Sequence, residues 1–173
     1  MITISENIKI INVDNGNNNY PGNFANKEIS IINENLIPNT LHLFSGKSDI
    51  GNIRVDFSYS NECNCTMDVF DYLNDMINIK DCNFNTIIID APYNQKFADK
   101  YQKLGSTPEQ FIIFANAKKT TQLFNSVIEI NPKRIILKSW NYYIVKGYKL
   151  KDCFICYAGG YRKPTFLIIM DKN

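Results

Sequence analysis

Asp90-Ala91-Pro92-Tyr93 closes an apolar run, Asn85-Thr86-Ile87-Ile88-Ile89, and brings together a carboxylate, a turn-forming imide and a flat ring. The run shows no polar alternation, the pattern of a strand buried on both faces of a parallel sheet. Ligands of such sheets bind just beyond the carboxyl ends of the strands. Residues of these types at that position suit a planar, amino-bearing group such as a nucleobase.

The elements that must position this segment follow a regular order. Residues 40–44 read as a short apolar strand, 52–58 as a second with Asp56 near its end, and 64–68 as a brief third. Val69, Tyr72, Leu73 and Met76 recur at helical spacing. Residues 85–90 form the next strand. Ser106-Thr107-Pro108-Glu109 supplies a capping hydroxyl, a proline in the first turn and an early acid, so a helix is expected from there to about Ile128, before Asn131-Pro132. Residues 134–138 read as a strand, and 152–157 and 165–170 flank Gly159-Gly160 as the arms of a long hairpin. Upstream, Ile2, Ile4, Ile8, Ile10 and Ile11 suggest one or two short strands, 14–19 a loop, 20–24 a turn, and 29–32 a short helix or strand. The expected fold is α/β, a mostly parallel sheet with an antiparallel C-terminal hairpin. One domain over residues 1–173 is the simplest organisation, with 1–37 an N-terminal extension packing on it.

An acid, a variable residue, proline and an aromatic after a buried strand resembles the signature of amino-directed methyltransferases, which use S-adenosylmethionine to methylate exocyclic nitrogens of adenine or cytosine. The family pattern is Asp, Asn or Ser, then usually Pro, then Pro, then Tyr, Phe or Trp; Ala91 stands at the second position here. Chain order extends the likeness to residues 38–172. Leu43-Phe44-Ser45-Gly46 stands where the family has its first cofactor loop, Asp56 where an acid binds the ribose hydroxyls, and Asp68 where an acid faces the adenine amino group. The resemblance implies a Rossmann-like three-layer methyltransferase fold, with Phe44, Ser45, Gly46, Asp56, Asp68 and Asp90 holding S-adenosylmethionine. Two departures stand out. His42 occupies the neighbourhood of a family acid, and the loop keeps Gly46 and Gly51 where relatives carry a richer glycine run.

Methyl transfer from a sulfonium is an in-line displacement in which the protein supplies positioning and electrostatics. A ring-conjugated amine becomes a better nucleophile when two acceptors draw its hydrogens out of plane. Asp90 and the Ala91 carbonyl would be those acceptors, Pro92 would fix the turn, and Tyr93 would stack on the base for about 1–3 kcal/mol. A target inside a duplex must first be flipped out. Lys96 and Lys100, with Tyr101 and Lys103, would contact phosphate from a segment over the substrate, and Arg162 and Lys163 would do so from between the last two strands. The bland alternative for these residues is a solvated turn.

Lys138 in Ile136-Leu137-Lys138-Ser139 carries a second reading. It resembles the lysine of RNA ribose 2′-O-methyltransferases, which pairs with an acid placed like Asp90. A buried lysine of lowered pKa would help deprotonate a hydroxyl. That family also needs a further lysine and a glutamate, and no glutamate lies near Thr165. A third reading keeps the fold as a non-catalytic binding module. His42 is the sole histidine and reads as a packed side chain rather than a member of a triad.

Hydrophobic residues make up 45% and charged residues 21%, which is the range of soluble globular domains. A net charge of +2 permits a nucleic-acid substrate without arguing for duplex wrapping. The targets this balance admits are RNA, a single strand, or a site read with a partner that supplies specificity. No apolar run is long enough to span a bilayer, and the first residues lack a basic region followed by an apolar core, so neither a membrane segment nor a signal peptide is expected. Five cysteines point to reduced thiols in the cytoplasm. Cys63-Asn64-Cys65 is too tightly spaced for a metal knuckle. Cys153 and Cys156 sit in an expected strand, where residues three apart point to opposite faces, so no metal site is assigned.

Overall fold

The computed structural model describes residues 6–13, 24–57, 63–80, 83–91, 113–114, 116–159 and 163–173. In chain order these form β1 (Ile8–Asn12), α1 (Asn26–Glu34), β2 (Thr40–Leu43), β3 (Ile53–Asp56), β4 (Cys65–Thr66), α2 (Val69–Ile79), β5 (Thr86–Ile89), α3 (Ala117–Ile130), β6 (Arg134–Ser139), β7 (Tyr148–Tyr157) and β8 (Thr165–Lys172). The fold is α/β. Eight strands make one mixed sheet in the order β1-β7-β8-β6-β5-β2-β3-β4. All neighbours pair parallel except β8, which is antiparallel to both β6 and β7.

The apolar run of β5 is explained by its position. Strands lie on both sides of it and cores on both faces, so all four residues are buried. Ile87 and Ile89 join Leu41, Leu43, Ile135 and Leu137 under Leu73 of α2 and Leu123 and Val127 of α3. Ile88 joins Ile136, Leu167 and Ile169 on the opposite face, with Ile32 of α1 and Phe24. Each such Leu or Ile contributes about 1.5–3 kcal/mol on burial, so the two-sided core dominates the stability of the sheet centre. The N-terminal region is built into both layers: β1 forms a sheet edge and α1 covers one face.

α2 and α3 begin where a side chain replaces the missing backbone partners. Asp68 caps α2, and Lys80 closes it in the left-handed conformation. The expected helix from Ser106 does not run unbroken to Ile128. Ile113 and Phe114 are non-helical, and α3 starts afresh at Asn116, whose side chain accepts from the N–H groups of Lys118 and Lys119. Thr120 reinforces the break by donating to the Ile113 carbonyl at 2.7 Å. Residues 106–112 lie outside the described residues. The hairpin is longer than its sequence pattern, with β7 beginning at Tyr148, and a register shift between Leu150 and Asp152 interrupts the alternation there.

Two parallel connections carry no helix, although such crossovers are usually helical. Residues 44–52 link β2 to β3, and residues 140–147 link β6 to β7. Each buries an apolar residue, Ile50 in the α1-side core and Val145 in the α2/α3-side core, and Phe44, Trp140 and Tyr143 pack partly buried against the latter. Gly51 has φ +105°, and a Cβ there would stand 3.3 Å from the His42 Cβ. This glycine lets the loop lie against the sheet. Among the described residues no helix is long and apolar enough to cross a membrane.

Candidate functional site

The strand order reverses between β2 and β5: the chain adds β3 and β4 on one side and β5 and β6 on the other. In open α/β sheets the crevice beyond the carboxyl ends at such a reversal is where ligands bind. Leu43 pairs with Ile89, so Phe44 and Asp90 follow side by side, and the Asp90 N–H reaches the Leu43 carbonyl at 3.4 Å. Leu43 also pairs with Val55, which brings Asp56 to the same rim.

The loop after β2 is folded onto that acid. The Gly46 N–H donates to Asp56 Oδ2 at 2.9 Å, and the Ser45 N–H donates to the Val55 carbonyl at 3.1 Å. Phe44 and Gly46 both hold positive φ, 60° and 54°. The left-handed conformation is strained for Phe44 and easy for Gly46. Between them the Ser45 hydroxyl is buried with no hydrogen-bond partner among the described residues. A buried hydroxyl without a partner is costly, and this one lies in the loop at the reversal.

Comparison with family models, with curated proteins and with solved structures finds no match to the chain.

One strand further along, Lys138 sits on the α1 face of β6, buried at 6% exposure. Its Nζ is 2.9 Å from Glu28 Oε2 and 4.8 Å from the centroid of the Phe24 ring. The same Glu28 oxygen accepts the Ala25 N–H at 2.8 Å, so one carboxylate serves both the start of α1 and the lysine. Strand register extends Ile89–Leu137 to Asp90 beside Lys138. Burial pushes the lysine pKa down, but the charges of Asp90 and Glu28 and the Glu28 hydrogen bond outweigh it, and the net shift is upward. The lowered pKa expected of a hydroxyl-activating lysine is therefore reversed: two carboxylates hold the proton on. Cys156 lies in the same cluster, and burial and then Glu28 push its thiol upward, so it stays protonated.

The structure brings Phe44, Ser45, Gly46, Asp56, Asp90 and buried Ala91 to the carboxyl ends of β2, β3 and β5. Asp68 stands after β4 and spends Oδ1 on the Phe70 and Asp71 N–H groups at 2.8 and 3.3 Å. Pro92, Tyr93, Lys96, Lys100, Tyr101, Lys103 and Arg162 lie outside the described residues. Lys163 is described, with its Nζ 5.0 Å from the Trp140 ring centroid. Cys153 and Cys156 fall in opposite cores, as residues three apart in a strand should. Glu28 is the residue that sequence reasoning missed. Its signal was Lys138 itself, since a cation inside an apolar strand requires an acid.

Proposed function

We propose that the chain is an S-adenosylmethionine-dependent methyltransferase with a Rossmann-like sheet, acting on an exocyclic amino group, adenine N6 or cytosine N4, of DNA or RNA. The observation that carries this reading is the clasp at the strand reversal. A glycine N–H holds the acid of β3, a buried hydroxyl with no partner among the described residues sits beside it, and Asp90 follows β5 on the other side of β2. The order β4-β3-β2-β5-β6 is that of a dinucleotide-type sheet read from its third strand, and the antiparallel β7–β8 pair completes the methyltransferase pattern.

The residues fit the cofactor chemically. Asp56, whose Oδ2 accepts the Gly46 N–H, would meet the ribose hydroxyls. The Ser45 hydroxyl offers a donor and acceptor to the polar end of the ligand. Asp56 and Asp90 bring two carboxylates to the rim, favourable to a cationic donor. When bound, S-adenosylmethionine supplies an electrophilic methyl group on a good leaving group. Asp90 and the Ala91 carbonyl accept the hydrogens of the target amine. Lys138, fixed as a cation beside Asp90, cannot itself serve as the base. That charge state favours an amine over a ribose hydroxyl, which needs a base in the lysine's place.

Calorimetric titration with S-adenosylmethionine tests the first step, and transfer of labelled methyl to DNA and RNA pools with nucleoside analysis tests the second. Binding followed by label on adenine or cytosine is expected, with Asp90→Ala retaining cofactor and losing transfer. Absence of binding returns the chain to a non-catalytic module. Label on ribose assigns it to the 2′-O class.

A further inference from the structure

Asp90 and Lys138 are turned to the same face of the sheet. Ile89 and Ala91 both lie in the core beneath α2 and α3, so Asp90 between them faces the α1 side. Lys138 follows Ile136 of the α1-side core by two residues and meets Glu28 and Phe24 there. β5 and β6 are parallel and in register from Thr86–Arg134 to Ile89–Leu137, so the next pair across is Asp90 and Lys138. Adjacent strands stand about 4.8 Å apart. Against the burial that pushes the lysine pKa down, the charge of Asp90 is the largest upward influence, ahead of that of Glu28.

One ammonium therefore lies between two carboxylates. An ammonium carries three N–H donors. Glu28 Oε2 takes one at 2.9 Å, and the Phe24 ring covers another side at 4.8 Å. A donor remains for the neighbouring strand. Stability does not account for the arrangement, because a whole buried pair is often replaced by apolar residues of similar volume without loss. β6 is apolar at Ile135, Ile136 and Leu137, and its buried charge stands only at the α1-facing position nearest the rim. What a lysine does there and an apolar side chain could not is act on Asp90.

We propose that Lys138 is a positioning residue for Asp90: its ammonium, fixed by Glu28 and Phe24, holds one carboxylate oxygen toward the α1 face and so presents the other to the target amine. This role rests on the methyltransferase reading, and it makes the start of α1 part of the reaction centre. An acceptor whose direction is set before the reaction needs no reorganisation when charge develops on the amine.

A double-mutant cycle of Asp90→Asn and Lys138→Met, followed by urea unfolding, tests the contact without any activity. The two effects on the unfolding constant should fail to multiply by about fivefold or more. Effects that multiply overturn the proposal. The variant Glu28→Gln with Lys138→Met tests the role. It removes both buried charges, and the glutamine oxygen can still accept the Ala25 N–H, so stability should stay near that of the parent. Its kcat for labelled-methyl transfer should fall about 10–100-fold, with KM and calorimetric affinity for S-adenosylmethionine unchanged. Lys138→Arg, which keeps the charge, should retain more turnover than Lys138→Met. A merely structural pair would recover turnover together with stability, and full turnover in the neutral double variant overturns the proposal. Absence of transfer by the parent chain refutes the methyltransferase reading and this role with it, whereas failure of the role alone is read in the variants.

Discussion

His42 and Lys138 are two basic side chains on the same face of one sheet, in contact with the same aromatic ring, and they resolve burial in opposite ways. The His42 ring lies 5.8 Å from Phe24 and the Lys138 ammonium 4.8 Å from it. His42 has only a carbonyl for a partner: Nδ1 meets Ile50 O at 3.0 Å, and buried Nε2 has none among the described residues. Burial lowers its pKa from 6.5 to about 4, against the Ile50 hydrogen bond and with help from Arg54, so it is neutral. Lys138 meets two carboxylates and keeps its proton. Burial sets the penalty for charge, and the partner decides whether charge survives it.

The comparison breaks most sharply at Glu28. Replacing it with alanine strands the Lys138 ammonium in the interior and also removes the acceptor for the Ala25 N–H. A loss of about 3–5 kcal/mol is expected for a buried pair broken on one side. The double variant Glu28→Ala with Lys138→Met should recover most of it, since apolar replacement of a whole buried pair is often neutral. Urea unfolding of the four proteins in the cycle measures this. A Glu28→Ala cost no larger than that of a surface substitution would show that water reaches the lysine.

The histidine sharpens the contrast through pH. Its folded pKa lies below its unfolded value, so between pH 6.5 and 4 the unfolded chain binds more protons, and stability falls as pH falls. The loss attributable to His42 is about 3 kcal/mol across that window. Carboxylates titrate there too, so the readout is the difference in slope between the parent and His42→Phe. The variant leaves the Ile50 carbonyl without its donor, which shifts the whole curve down but flattens its acid limb. Lys138 has the opposite sign: its raised pKa contributes below the ordinary lysine value and is lost only as pH rises past it. Equal acid slopes in parent and variant would mean that His42 is charged when folded.

Legibility in the sequence follows the same division. The central strands were readable because β2, β5 and β6 are short runs rich in apolar residues, and β5 was clearest because both of its faces are buried. The rim was readable because it is a matter of order: Gly46, Asp56 and Asp90 each end or follow a strand. The unbroken run to Ile128 was misread because Asn116 carries a start signal of its own, while the signal at Ser106 to Glu109 lies outside the described residues. Glu28 was hidden by distance, because nothing local ties residue 28 to residue 138. Tertiary charge pairs of this kind leave one trace in a sequence, a charged residue where the pattern demands an apolar one.

The far end of β6 supplies the mildest test. Arg134 opens the strand whose fifth residue is Lys138, and it too pairs with an acid, giving two hydrogen bonds to Asp171 at 2.6 and 3.1 Å. Its third contact is to the Asn35 carbonyl at 2.8 Å. This pair reaches solvent, with side chains 14% and 30% exposed. The Arg134 hydrogen bond, against some burial, holds the Asp171 carboxyl below its usual range, aided by the charges of Arg134, Lys151 and Lys149. The stabilisation is therefore present above the ordinary carboxylate pKa and lost as pH falls through the folded value. Because water screens it, Asp171→Asn should cost about 1 kcal/mol or less, and the cost should shrink with added salt. The Glu28 cost should be nearly indifferent to salt. If both substitutions cost the same and respond alike to ionic strength, burial is not what separates the two ends of this strand.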